Sequence, residues 1–170
     1  MKEFKALSAD AFDFSPFKLI AKDWMLITAQ SETSVNTMTA SWGGLGYIWN
    51  KNAAYIVVRK SRFTKGFIDE SQMFSLSFFD TSKYRKMLNY MGTISGRDEA
   101  KIEKAGLTVA YADGIPYFEE ASKVLICKVM CRQTIEPSSF ILEELDHQFY
   151  SNEDYHDLYI GEIVEILVEA

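Results

Sequence analysis

The sequence predicts a single α+β domain, built mainly from β-strands in an antiparallel barrel or sandwich. Six or seven apolar runs rich in β-branched and aromatic residues have the length of strands, and several are separated by little more than a turn. Short helical patterns interrupt these runs at irregular points, whereas a doubly wound parallel sheet alternates strands and helices regularly. We therefore expect an antiparallel arrangement.

The strand predictions rest on these runs and on their alternation. The segment "FSLSFF" has apolar residues at every second position, as a half-buried strand does. The first run contains Lys22 and Asp23, so the extent of its strand stays open. The predicted strands cover residues 19–29, 37–42, 54–58, 73–79, 107–111, 124–134 and 158–168.

Three short helices are predicted between the strands, in residues 61–71, 81–92 and 95–106. Ser61 has the position of an N-cap for the first helix, and Gly92 is expected to end the second. Ser95 and Asp98 have the spacing of a capping box for the third, which Gly106 follows.

Composition bounds the classes of function. A chain of 170 residues with 48% hydrophobic and 25% charged residues is typical of a soluble globular protein, and we expect one domain over residues 1–170. The net charge of −6 argues against binding nucleic acid or an anionic membrane through general electrostatics. The first residues lack the apolar run of a signal peptide and no later run reaches membrane-spanning length, so a cytoplasmic location is expected.

The cysteines and histidines predict neither a disulfide nor a metal site. Cys127 and Cys131 lie in a predicted strand, where residues four apart are separated by about 13 Å, too far for a disulfide. We expect buried, reduced thiols. With two histidines in the chain, no four-ligand metal cluster assembles from the sequence.

Three segments are candidates for a binding site. In the first, a strand leads into a helix through residues 59–65, which contain Arg59, Lys60, Arg62 and Lys65. Ser61 and Thr64 add hydroxyl groups there, and a helix start suits a phosphate. A solvated basic helix start explains the same residues, so both interpretations stay open.

The second segment is "GTISGRDEAK", in which Gly92, Ser95 and Gly96 allow close approach of a ligand to the backbone and Lys101 follows. A capped helix after a glycine-rich turn explains every residue of this segment without a ligand and is the favoured interpretation of the segment taken alone. The third is "SVNTMTASWGGLGYIWNKN", where small residues at 37–41 would let a planar ring reach backbone N–H and C=O groups. Its glycines are expected to keep the following turn open, and its aromatic residues either wall a ring or fill the core.

The sequence indicates no hydrolytic site. It contains no nucleophile elbow, Walker loop, dinucleotide fingerprint or H-E-x-x-H motif, and its paired acidic residues are typical of solvated surfaces. We name no catalytic residue. His156 precedes the last predicted strand, where a histidine is either structural or at the mouth of a pocket.

Five ordered blocks resemble the flavin reductase-like proteins with an FMN-binding split barrel, a group that includes flavoredoxin. They are "NTMTASWGGLGYIWNK", "VRKSRFTKGFID", "MGTISGRDEAKIEKAGLT", "FEEASKVLICKV" and "DYHDLYIGEIVE", and the resemblance extends from Trp24 onward. It implies a split β-barrel of Greek-key type with short inserted helices, active as a homodimer, with FMN held noncovalently near the subunit interface.

The resemblance also implies which residues bind the cofactor. The block "NTMTASW" is similar to the segment that contacts the isoalloxazine ring, and it supplies Asn36, Met38, Thr39, Ala40, Ser41 and Trp42. The block "RKSRFT" is similar to the phosphate and ribityl segment, and it supplies Arg59, Ser61, Arg62 and Thr64. Two further blocks add Ser95, Lys101 and His156. Asn52 stands where many members have proline, so the neighbouring loop differs from theirs.

The expected activity is hydride transfer from NADH or NADPH to the flavin, and from there to a small-molecule or protein electron acceptor. The flavin supplies the redox chemistry, while the protein supplies position and electrostatics. Backbone N–H groups of residues 39–42 are expected to face the N5 and O4 edge, and a cation such as Lys101 the N1 and O2 side. A noncatalytic FMN carrier is the alternative, and a binding module for another planar anion, such as haem or pyridoxal phosphate, is a third.

Overall fold

The computed structural model describes residues 3–170, in which ten strands carry most of the regular structure. The strands are β1 (Phe4–Ala6), β2 (Met25–Gln30), β3 (Val35–Ala40), β4 (Gly43–Ile48), β5 (Lys51–Arg59), β6 (Met73–Phe78), β7 (Val109–Ala112), β8 (Ile115–Phe118), β9 (Lys123–Thr134) and β10 (His156–Glu169). Strands therefore dominate, as the sequence predicts.

Five short helices are inserted between the strands. They are α1 (Pro16–Lys18), α2 (Phe63–Ser71), α3 (Thr81–Thr93), α4 (Lys101–Lys104) and α5 (Glu143–Phe149), and α1 continues into a π-helical turn over Leu19–Asp23. Within residues 3–170, no helix is long and apolar enough to cross a membrane.

The main sheet is antiparallel and follows the strand order β3-β2-β6-β9-β10-β5-β4, with β1 paired to β10. In the described part of the chain, no ladder joins β3 to β4, so the sheet is not closed. Strands β7 and β8 form a separate hairpin. The two ends of the main sheet, β3 and β4, are joined by only Ser41 and Trp42.

Both faces of the central strands are buried, because the sheet curves around one apolar cluster and carries a second on its outer side. In β2, Met25 and Ile27 belong to the first cluster, whereas Leu26 belongs to the second, which includes Leu88 of α3 and Phe118 of β8. The hairpin and α3 thus cover the outer face of the sheet. This explains why β2 begins with three consecutive apolar residues, Met25, Leu26 and Ile27.

The first predicted strand is wrong in its first half. Ser15 caps α1 by accepting a hydrogen bond from the Lys18 N–H (3.4 Å), and Pro16 occupies the first helical turn. Leu19 and Ile20 reach the core from the helical segment, and strand structure begins at Met25. The local cap therefore prevails over the apolar pattern.

The helix caps predicted from sequence are also corrected. The N-cap of α2 is Arg62 and not Ser61, whose side chain bonds elsewhere. The helix over Lys101–Lys104 is shorter than predicted, and Ser95 and Asp98 form no capping box for it. Helix α3 runs one residue past Gly92, while Gly106 does follow α4 with a positive φ of 67°.

The segment predicted as an open glycine-rich turn is a β-hairpin. Residues 43–48 form β4, which pairs with β5 through a tight turn at Trp49 and Asn50, both with positive φ. Gly43 is required there, because a β-carbon would overlap the carbonyl of Tyr55. The remaining strand predictions overlap observed strands, whereas β1, β8 and α5 were not predicted.

Both cysteines are free, but the predicted burial is confirmed for only one of them. Cys127 is buried, and burial raises the pKa of its thiol. Cys131 is half-buried rather than fully buried.

Candidate functional site

Two adjoining cavities collect the predicted site residues. The first, which we call the basic cavity, has a volume of about 250 Å³ and is lined by Asn36, Met38, Arg59, Ser61, Arg62, Thr64, Ser95 and Lys101, among others. The second, the edge cavity, has a volume of about 240 Å³; Met38, Arg59 and Arg62 line it together with Thr39, Ala40, Ser41, Trp42 and His156. All thirteen predicted residues therefore meet at one place, although their role as cofactor ligands stays a prediction.

Two cations of the basic cavity are held at the carboxyl end of α3. The Lys101 ammonium donates to the carbonyls of Met91 (3.0 Å) and Ile94 (2.8 Å). The Arg62 guanidinium donates to the carbonyl of Gly92 (3.1 Å). Free carbonyls and the dipole at a helix C-terminus favour positive charge, so α3 holds both groups beside the cavity.

Lys101 is buried, with 4% of its surface exposed. Desolvation, together with the smaller effect of the nearby Arg62 charge, lowers the pKa of its ammonium to about 8. Within residues 3–170, no carboxylate lies in ion-pair contact with it. A buried cation with carbonyl partners and no acid partner fits an anionic ligand, because such a ligand would supply the missing charge.

Buried polar contacts join the three segments around the basic cavity. Asn36 on β3 is 4% exposed and donates from Nδ2 to Oγ1 of Thr64 on α2 (2.9 Å). A β-carbon at position 96 would overlap Oδ1 of Asn36, so Gly96 permits the third segment to approach β3. The cavity wall is thus built from residues that are distant in sequence.

Two residues that the sequence predicts for phosphate binding, Arg59 and Ser61, form hydrogen bonds with the loop before β10 and with the end of α5. Asp154 accepts hydrogen bonds from the Ser61 N–H (3.1 Å) and hydroxyl (2.5 Å). Arg59 donates to the carbonyls of Asp154 (2.7 Å) and Phe149 (3.0 Å). Arg59 and Ser61 therefore line the cavity while holding this loop.

The four basic residues of segment 59–65 have different surroundings in the structure. Lys65 forms ion pairs with Asp69 (2.6 Å) and Asp157 (2.9 Å), and these hydrogen bonds raise its pKa although burial opposes them. Lys60 is exposed and lines neither the basic nor the edge cavity. Arg59 and Arg62 are the members of the cluster that face the candidate site.

The edge cavity lies along the outer edge of the sheet, where β3 ends the strand order. Residues 38–40 of β3 line it, so an unpaired strand edge offers backbone groups to a ligand. The Thr39 hydroxyl donates to the Leu88 carbonyl (2.5 Å), which ties this edge to α3. Trp42 closes the far end, with its ring centroid 5.2 Å from Phe149 and 5.4 Å from His156.

His156 is buried and in contact with Tyr150, whose hydroxyl lies 2.7 Å from Nδ1. Desolvation lowers the pKa of His156 to about 4, and the charges of Arg59 and Arg62 act in the same direction. The imidazole is therefore neutral near pH 7. It offers the cavity a neutral ring and no positive charge.

The comparison with protein families identifies the family of the chain. The model of the flavin reductase like domain matches residues 17–170. The chain belongs to the flavin reductase-like family. This confirms the resemblance on which the site was predicted, and it makes the chain a member of a flavin-binding oxidoreductase family.

Solved structures of the family share the fold. An FMN-binding domain of a flavin reductases-like enzyme from Shewanella baltica is 20% identical, with a TM-score of 0.70, over 99% of this chain and 78% of its own. Flavoredoxin from Methanosarcina acetivorans is 24% identical, with a TM-score of 0.66, over 86% and 68%. The styrene monooxygenase flavin reductase from Pseudomonas putida is 14% identical, with a TM-score of 0.63, over 87% and 80%. The comparison with curated proteins returns no match.

The split barrel with short inserted helices is thereby confirmed as the fold. Sequence reasoning missed several lining residues, of which Phe63, Arg97 and Asp154 carry chemistry. Arg97 lies in the quoted block "SGRDEAK", and its guanidinium stands 4.7 Å from the centroid of Phe63. Asp154 gave no signal, because its position depends on the folding back of the loop before β10. Among residues 3–170, no cluster of side chains suits a metal ion.

We predict that His156 makes stability depend on pH. Between its pKa of about 4 in the folded protein and the ordinary 6.5, the unfolded chain binds a proton that the folded chain excludes, so stability falls as pH drops. Urea unfolding at pH 7 and pH 5 measures this loss. The wild type should lose about 2 kcal/mol more than His156→Gln, which keeps an acceptor for Tyr150. Equal losses in the two proteins would contradict the prediction.

Proposed function

We propose that the protein is an FMN-dependent oxidoreductase that takes hydride from NADH or NADPH and passes electrons to a small-molecule or protein acceptor. The observation that carries the proposal is the buried Lys101 ammonium, which lies beside Arg62 with no acid partner among residues 3–170. This pair adjoins the free strand edge of β3. A phosphate at one end and a planar ring at the other are the two parts of FMN.

The residues present fit this cofactor. The basic cavity offers the phosphate Arg62, Lys101 and the Thr64 hydroxyl, and Ser95 and Arg97 lie on the same wall. The edge cavity offers the ring the backbone of residues 38–42, with the Trp42 side chain at its far end. Two cavities of this size together have the volume of a small-molecule site, about 300 to 1,000 Å³.

The charges of the site suit redox chemistry by a flavin. When bound, FMN supplies two-electron transfer between nicotinamide and acceptor. Arg59, Arg62 and Lys101 surround the two cavities, and they favour negative charge on whatever occupies them. His156 stays neutral, so it adds no positive charge that would repel Arg59 and Arg62.

A noncatalytic FMN carrier is the second candidate, and the fold likeness to flavoredoxin favours it. The two candidates use the same cofactor site and differ in the electron donor. A carrier is reduced by a protein partner, whereas a reductase is reduced by nicotinamide directly. A haem or pyridoxal phosphate module, the third alternative, would show a different visible spectrum in the purified protein.

Anaerobic reduction tests the proposed activity. Protein purified with FMN should lose its visible flavin absorption within seconds of adding NADH or NADPH, because direct hydride transfer needs no further partner. The preferred nucleotide is read from the two rates. Bleaching by dithionite but by neither nucleotide would favour the carrier instead, and a protein that takes up no flavin would refute both.

We predict that Arg62→Ala weakens FMN binding about tenfold or more, because it removes a charge-assisted contact worth about 1.5 to 3 kcal/mol. Quenching of flavin fluorescence measures the dissociation constant. Lys60→Ala is the matched control, since it removes the same charge two residues away and Lys60 lines neither cavity. Binding of riboflavin, which lacks the phosphate, should change little in either variant. Equal FMN affinity in both variants would place the phosphate elsewhere.

We also propose a homodimer in the cytoplasm. Three aromatic side chains between Trp42 and the turn after β4 are exposed: Trp42, which lines the edge cavity, by 43%, Tyr47 by 67% and Trp49 by 57%. An apolar surface of this kind suits contact with a second subunit. Sedimentation equilibrium should give twice the chain mass of 19.5 kDa, and a Trp49→Ser variant should shift the protein toward monomer. A monomer at micromolar concentration would refute this part.

A further inference from the structure

The loop of residues 150–155 places one carboxylate inside the basic cavity. Asp154 is the single acidic residue among the described residues that line this cavity. Its two carboxylate oxygens accept from one residue, Oδ1 from the Ser61 N–H at 3.1 Å and Oδ2 from the Ser61 hydroxyl at 2.5 Å. A backbone N–H and a neighbouring hydroxyl are donors that a phosphate also uses.

The surroundings of this carboxylate are cationic. Arg59, Arg62, Arg97 and Lys101 line the same cavity, and Arg59 donates to the backbone carbonyl of Asp154. The carboxylate therefore supplies negative charge to a cavity that otherwise collects positive charge. A phosphate that enters the cavity meets this charge and finds the Ser61 donors taken.

We propose that Asp154 is an internal competitor for the phosphate of the bound flavin, and that this competition keeps the flavin exchangeable. The inference rests on the proposed function, since it assumes that the basic cavity receives the phosphate of FMN. Binding of FMN requires Asp154 either to release Ser61 or to stay close to a second anion. Either arrangement weakens binding, and the weakening acts only on a flavin that carries a phosphate.

This loop and the end of α5, which directly precedes it, connect the two cavities. The Phe149 carbonyl accepts from Arg59, and the Phe149 ring contacts Trp42 at the end of the edge cavity. Tyr150 contacts His156. Release of Asp154 from Ser61 therefore affects a loop that also borders the ring, so occupancy of the phosphate position and the shape of the ring position are coupled.

The test compares Asp154→Asn with Asp113→Asn. Both substitutions remove one negative charge from a chain of net charge −6, but Asp113 lies in the β7–β8 turn, pairs with Lys128 and has a positive φ that asparagine tolerates. Dissociation constants for FMN and riboflavin are measured with each protein. Asp154→Asn should bind FMN about tenfold or more tightly than the wild type, and mostly through slower release. Riboflavin affinity should change less than about twofold, and Asp113→Asn should match the wild type.

Two further measurements test whether Asp154 competes with the phosphate. Asp154→Ala removes the acceptor as well as the charge and should show the same preference for FMN, in case the asparagine variant folds poorly. At 1 M salt, where charges are screened beyond about 3 Å, the ratio of FMN affinities should persist, because the competition is by direct contact.

The outcomes separate this inference from the proposed function. Wild-type protein that binds FMN with the same affinity as both Asp154 variants overturns the inference alone. Equal gains for FMN and riboflavin also overturn it, since they would reflect a change in the ring position. Failure of every protein to bind FMN overturns the proposed function, and the inference with it.

Discussion

The register between β5 and β10 is the constraint on which the site depends, because it sets His156 directly opposite Arg59. The loop before β10 must then return across the start of α2. Arg59 donates to the carbonyl of Asp154 in that loop and to the carbonyl of Phe149 at the end of α5, and the Asp154 carboxylate reaches Ser61. This strand pairing thus brings Arg59, His156 and the loop that carries Asp154 to the two cavities.

The cations of the basic cavity are stabilised by backbone rather than by carboxylates. Desolvation of Lys101 costs free energy, which two carbonyls at the end of α3 offset only in part, and the lowered pKa of its ammonium reflects the remainder. Lys65 on α2 shows the opposite solution, since Asp69 and Asp157 balance its charge. The difference separates a binding site from a structural ion pair, and the sequence shows only that both positions are basic.

Asp154 bears on the choice between a reductase and a carrier. A reductase whose small-molecule acceptor is a free flavin benefits from a site at which flavin exchanges, whereas a carrier needs a flavin that stays. Asp154 is held against Ser61 in a cavity lined by four cations, and we propose that its carboxylate opposes tight retention of a phosphate there. This geometry fits exchange better than permanent binding, and it is consistent with the proposed activity.

The sequence by itself predicted the family and most strands correctly, because apolar alternation and short motifs are local properties of the chain. It also named thirteen residues that the structure brings together around two cavities, while their role in binding stays a prediction. The sequence-based predictions were wrong where local signals conflict, or where contacts with distant segments set the local structure. Residues 19–23 are helical because the cap at Ser15 acts before the strand pattern begins, and residues 43–48 form a strand because β5 pairs with them. The tertiary structure alone decided that Lys65 faces acids, that Lys101 faces carbonyls and that Asp154 enters the basic cavity. The role of a charged side chain depends on its burial and on its partners. Both arise from contacts between segments that are distant in the sequence, so local sequence patterns do not predict them.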